Sequence, residues 1–185
     1  MTSSGTLHVV ATELVVGAYA LAGIAFAICL LAPYAPAFLK SKRSSADTVA
    51  HAALSFGLIA TPFAIFTGLS SAPNGEMSSA LLANKMLFSL SGLGLALGTL
   101  TVRWRMGSDV WVGTKSTVIH GASGLGSTAL MLLTASAGGT YARGESLLDW
   151  LHLPYEEVLL MPTALSAALL LIGLACSVIG FRSSV

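Results

Sequence analysis

The sequence predicts an all-α integral membrane protein, a single bundle spanning residues 1–185 with five transmembrane helices and a short interfacial helix between the fourth and fifth. Three observations predict it. Hydrophobic residues form 55% of the chain against 9% charged, and the mean hydropathy of +0.82 lies far from a soluble globular composition. Five apolar stretches each reach the roughly 20 residues that a helix needs to cross a ~30 Å hydrocarbon core. No linker or low-complexity segment divides the chain.

The first stretch covers about 9–32. Ala35-Pro36-Ala37 resembles a cleavage motif, but the flank lacks positive charge and the apolar run is too long for a signal peptide. The second, about 48–71, contains Pro62, whose missing N–H predicts a bend. The third, about 79–102, carries Gly94 and Gly98 at a spacing that lets helices approach closely. The fourth covers about 115–137 and the fifth, opened by Pro162, about 160–181. Pro33, Pro36, Pro73 and Pro154 punctuate the connections.

Between the last two, Gly138 to Val158 is too polar to cross. Leu147, Leu148 and Leu151 recur at helical spacing beside Trp150 and Tyr155, with Ser146 and Asp149 as a capping pair, which predicts the interfacial helix. Seven basic residues (Lys40, Lys42, Arg43, Arg103, Arg105, Lys115, Arg182) fall on one side of this topology. The other side holds Lys85 and Arg143 with five acids, Glu76, Glu145, Asp149, Glu156 and Glu157. The positive-inside rule then places the N-terminus outside and the C-terminus in the cytoplasm, in a multi-pass cell-membrane protein.

Nine basic against eight acidic side chains leave a net charge of +1, which provides no surface for nucleic acid. Cys29 and Cys176 lie within apolar runs and suggest neither a disulfide framework nor a zinc site. No nucleophile elbow, Walker loop, His-Glu-x-x-His or Cys-x-x-Cys pattern supports hydrolytic or nucleotide chemistry. Trp104, Trp111, Trp150, Tyr34, Tyr141 and Tyr155 stand near the expected interfaces, as aromatic belts do.

The functional signal is the placement of four histidines, because such side chains at membrane depth are costly and mark function. His51 and His120 lie at matching depths on the second and fourth helices, which run parallel. Two facing imidazoles at one level suit six-coordinate haem b, although interfacial hydrogen bonding or another metal fits the same pair. Ser55 and Gly124, four residues deeper, with Gly121 and Gly126 nearby, would leave room for a macrocycle or simply for helix packing. His8 and His152 fall on the opposite side, as ligands of a second haem or metal centre or as ordinary interfacial residues. Arg143 would neutralise a haem propionate or an anionic headgroup. Glu13 and Lys85, at comparable depth near the outer face, suggest either an ion pair or a proton or quinol site.

From about Leu7 to Leu148 the order of features resembles a family of small membrane proteins known mainly as a domain of unknown function. The resemblance rests on His8, Gly57-Leu58-Ile59-Ala60 through Thr67-Gly68-Leu69, Ala80-Leu81-Leu82-Ala83-Asn84 with Arg103, and Ala137-Gly138-Gly139-Thr140-Tyr141-Ala142-Arg143-Gly144. That family usually has His-Pro and a second histidine opening helix 1 and a histidine four before the asparagine; here Val9 follows His8 and position 80 is alanine. The resemblance implies a four-helix domain with haem or redox partnership, to which the fifth helix is an addition. A histidine pair toward each face is also similar in layout to two-haem transmembrane b-type cytochromes.

These readings converge on a membrane b-type cytochrome or cytochrome-like subunit, carrying electrons between quinone and a partner redox protein. Its partners would be the bilayer, other membrane subunits of a redox complex and quinone. The alternative is a cofactor-free accessory subunit of a larger redox or transport complex. A transporter ranks third, since no pair of interrupted helices occupies corresponding positions.

Overall fold

The computed structural model describes residues 3–71, 79–146 and 149–182. These form helices α1 (Ser4–Leu31), α2 (Ala37–Ser41), α3 (Arg43–Ser71), α4 (Ala80–Met106), α5 (Thr114–Arg143) and α6 (Thr163–Arg182), with short 3-10 turns and no strand among the described residues. Five of them, all but the short α2, are long and apolar enough to cross a membrane. Their outward faces carry exposed Ile24, Ile59, Phe63, Phe66, Leu171 and Ile172, side chains at home against lipid. The chain is a multi-pass helical membrane protein.

Four of the five membrane-length helices outrun the expected spans for local reasons, whereas α6, Thr163–Arg182 against about 160–181, starts after Pro162 and is slightly shorter. Ser3 caps α1 by accepting a hydrogen bond from the Thr6 N–H, so the helix starts before residue 9. α3 starts early, at Arg43, one turn before Asp47, and stays helical through Pro62. Arg103 and Arg105 extend α4 past residue 102, favourably placed at its negative end, until Gly107 turns the chain at φ 58°. Gly138 and Gly139 do not end α5; Gly144, in the left-handed conformation at φ 76°, does. The interfacial helix is reduced to the single 3-10 turn Asp149–Leu151 among the described residues. Leu147, Leu148, Pro73 and Glu76 lie outside the described residues.

In the bundle α1 packs between α3 and α5, α5 packs on α4, and α3 meets α4 more lightly. That order sets α3 and α5 diagonally across α1. The core between them holds Tyr19, Ala22, Phe26, Cys29, Ala50 and Leu54, all buried. α6 packs on α4 with backbone against backbone: a Cβ at Gly173 would collide with the Gly94 carbonyl, and one at Gly94 with Leu169.

Candidate functional site

The site grows from Asp47, one turn into α3 and only 6% exposed. An isolated buried carboxylate is strongly disfavoured, so its partners are the first question. Arg103 reaches it from the end of α4, with Nε 3.1–3.2 Å from both carboxylate oxygens and a terminal nitrogen 2.6 Å from Oδ2. Trp111, on the 3-10 turn after α4, donates its indole N–H to Oδ1 at 2.7 Å. A guanidinium fork and an indole thus hold one carboxylate in one orientation.

One turn further along the same helix face stands His51. Its Nδ1 lies 2.7 Å from the Asp47 backbone carbonyl and 3.0 Å from Oδ1. Both are acceptors, so Nδ1 carries the hydrogen and Nε2 of the neutral ring keeps its lone pair. That Nε2 is 2.9 Å from Nε2 of His120 on α5. His120 is therefore the donor across this contact, and its own Nδ1 is left as an acceptor.

Aromatic rings wall the pair. The two imidazoles are nearly parallel, at 18° with centroids 5.1 Å apart. Phe26 of α1 lies edge-on, its centroid 5.1 Å from His51 and 6.0 Å from His120. Trp111 closes another side, 5.0 Å from His120. Behind Trp111, Arg43 stacks on the indole at 5.2 Å, and the Thr117 hydroxyl donates to the Trp111 carbonyl at 3.0 Å.

The expected meeting of His51 and His120 is thus present, but its spacing differs from that of a bis-histidine haem. Metal–imidazole bonds of about 2 Å on opposite sides of an iron put the two nitrogens about 4 Å apart. Here they touch directly. The small residues expected to flank a macrocycle instead admit side chains of α1: a Cβ at Gly124 would fall 2.6 Å from the Phe26 ring, and one at Gly121 would strike Leu30. Gly126 faces Leu95, and Ser55 is half-buried on α3. As placed, these residues do not fit a haem between the two rings.

On the far side of the bundle the remaining expected residues have separate partners. His8 packs on Gly68, with Nδ1 3.3 Å from the Thr67 hydroxyl, whereas exposed His152 places Nδ1 2.9 Å from the Trp150 carbonyl, two residues back in its own loop. The structure gives them no shared centre. Glu13 faces an open groove between α1 and α3 beside Gly17 and Phe56, and half-buried Lys85 lies along Gly138 of α5. Among the described residues the ion pairs are those of Asp47, so the expected Glu13–Lys85 pair is not formed: the two side chains sit on different faces of the bundle. Arg143 is exposed at the end of α5.

His120 also forms part of the wall of a groove between α4 and α5, about 620 Å³ in volume, with Gly98, Thr99, Val102, Ile119 and Ser123. Thr99 and Ser123 share a hydrogen bond of 2.8 Å across it. Asp47, Arg103, Phe26 and Trp111 are the residues that sequence reasoning missed as members of the site; Trp111, expected in an aromatic belt, is buried against Asp47 and His120 instead. The Asp47-x-x-x-His51 spacing, which puts carboxylate and imidazole on one helix face, was the available signal.

Scans of protein-family models, curated proteins and solved structures gave no match.

Proposed function

We propose that this chain is a proton-relay subunit of a membrane redox system, exchanging protons between the aqueous phase at its basic end and a lipid-soluble reactant in the bilayer. The observation that supports it is the 2.9 Å contact between the two Nε2 atoms, with Asp47 behind one ring and the α4–α5 groove beside the other. A proton arriving at His120 Nδ1 lets the Nε2 proton cross to His51 Nε2, and the Nδ1 proton of His51 passes to the Asp47 carboxylate. The proton taken up at His120 is thereby matched by one placed on Asp47; its release from Asp47 to the aqueous phase and the return of both imidazoles to their starting tautomers complete the cycle. Arg103 and Trp111 keep the carboxylate aimed at His51 throughout, which is the role of fixed hydrogen-bond partners around a working imidazole.

Histidine-selective ¹⁵N NMR of the full chain in lipid nanodiscs, from about pH 3 to 9 so that the window extends well to both sides of the ordinary histidine range, tests the relay. The expected result is joint titration of His51 and His120 with a coupling across their N–H···N bond, both altered by Asp47→Asn. Independent titration of the two rings overturns the proposal.

An electron carrier with haem between His51 and His120 requires the rings to move apart by about 1 Å along the nitrogen–nitrogen line. A haem-supplied preparation is therefore expected to give a dithionite-reduced spectrum without an α-band. A sharp band lost in both His51→Ala and His120→Ala would replace the relay with a bis-imidazole cytochrome.

A further inference from the structure

We propose that the groove between α4 and α5 binds the headgroup of a lipid-soluble hydroquinone, with one quinol hydroxyl donating to Nδ1 of His120. This inference rests on the relay, which leaves that nitrogen as an acceptor. His120 Nε2 is occupied by His51, and Nδ1 makes no hydrogen bond to any of the described residues. His120 itself is 4% exposed, so the groove is its route to anything outside the protein.

The chemistry of the lining selects the ligand. His120 lies six residues beyond Thr114, about 9 Å along α5 from its start. Lys115 stands at the rim, where a phospholipid phosphate would be held, and the deeper wall is formed by Val102, Ile119, Gly98 and the Thr99 and Ser123 hydroxyls. A charged headgroup stays with Lys115 because moving it to the level of His120 would strip its water without a counter-charge. What reaches His120 must be uncharged and able to donate one hydrogen bond, with an otherwise apolar body that partitions into lipid. A quinol headgroup meets these conditions, and a volume of about 620 Å³ is ample for it.

Gly98 offers a test that leaves the relay untouched. A Cβ there would meet nothing within 4 Å, so a side chain at this position projects into open groove rather than into a neighbour. Duroquinol, under anaerobic conditions, is titrated into the full chain in phosphatidylcholine nanodiscs while the His120 ¹⁵N resonances are followed. Saturable movement of the Nδ1 resonance is expected, with at least a tenfold loss of affinity in Gly98→Phe and unchanged joint titration of the histidines. Ile119→Trp, on the exposed wall of the groove, is the second variant and should also weaken binding. No saturable shift, or equal binding by both variants and the parent chain, overturns the quinol site. Joint titration of the histidines in the same samples separates that failure from failure of the relay itself.

Discussion

The two ends of the bundle both hold polar groups where the helices meet, yet they use them differently. At the basic end, Asp47, His51, His120, Arg103 and Trp111 are side chains bonded to side chains, drawn from α3, α4, α5 and the turn after α4. At the opposite end the principal polar contact is a side chain fastening backbone. Asn84 of α4 donates to the carbonyls of Tyr155 and Val158 at 3.0 and 2.7 Å and accepts from the Leu160 N–H at 2.8 Å. An amide that satisfies backbone groups holds a loop still and has no proton to exchange at ordinary pH. A carboxylate behind two linked imidazoles has both a proton to move and a fixed direction for it. The difference is the ground for proposing the relay at the basic end, although histidines stand at both.

The largest test of that contrast is Asp47→Ala. It leaves the Arg103 guanidinium and the Trp111 N–H without their acceptor and should cost about 3 kcal/mol, near the lower end for breaking a buried ion pair because Arg103 is partly exposed. Denaturant unfolding in mild detergent measures it, and a loss below about 1 kcal/mol would reduce the cluster to a surface pair.

Asn84→Ala should cost about 2 kcal/mol, the penalty of stranding backbone groups that it now satisfies. Its effect should be local. Amide exchange is expected to quicken at Leu160 and in the loop around Tyr155 and Val158, while joint titration of His51 and His120 persists. Loss of that titration would mean that the two ends are coupled, and the comparison would fail.

His8→Gln should change stability by less than about 0.5 kcal/mol, since an amide can take over the ring's hydrogen bonding to the Thr67 hydroxyl and the Ala64 backbone. A larger loss in unfolding experiments would reveal a role that its present partners do not explain.

The smallest effect concerns Asp149 in the polar loop. Hydrogen bonds from the Ser146 hydroxyl and N–H, at 2.6 and 2.8 Å, hold its carboxyl below the usual range. A carboxyl depressed in the folded state stabilises its loop above its ordinary pKa, and the contribution is lost as pH falls through the lowered value. Protection of the Ser146 amide, its exchange measured against the intrinsic rate at each pH, should fall as pH drops below the ordinary aspartate value, and Asp149→Asn should remove that loss of protection.

Much of the architecture was legible in the residues because membrane crossing depends on local composition. A run of apolar side chains long enough to span the core must be a helix, since hydrocarbon supplies no partner for unpaired backbone groups. Counting residues along such helices also places His51 and His120 at one level. The helix ends were less legible, since they depended on single capping and cationic residues such as Ser3, Arg103 and Gly144.

Depth does not specify rotation or neighbours. Whether Gly124 leaves a slot for a cofactor or a seat for Phe26 depends on how closely α1 approaches α5. Asp47 and Arg103 are 56 residues apart, and nothing in either helix alone announces that they pair. Glu13 and Lys85 have the complementary charges and comparable depth of partners, yet they remain apart because their helices turn them toward different faces. Secondary structure in a bilayer follows from each segment's own solvation, whereas the site follows from lateral packing, where the free energy belongs to pairs of surfaces rather than to any one stretch of chain.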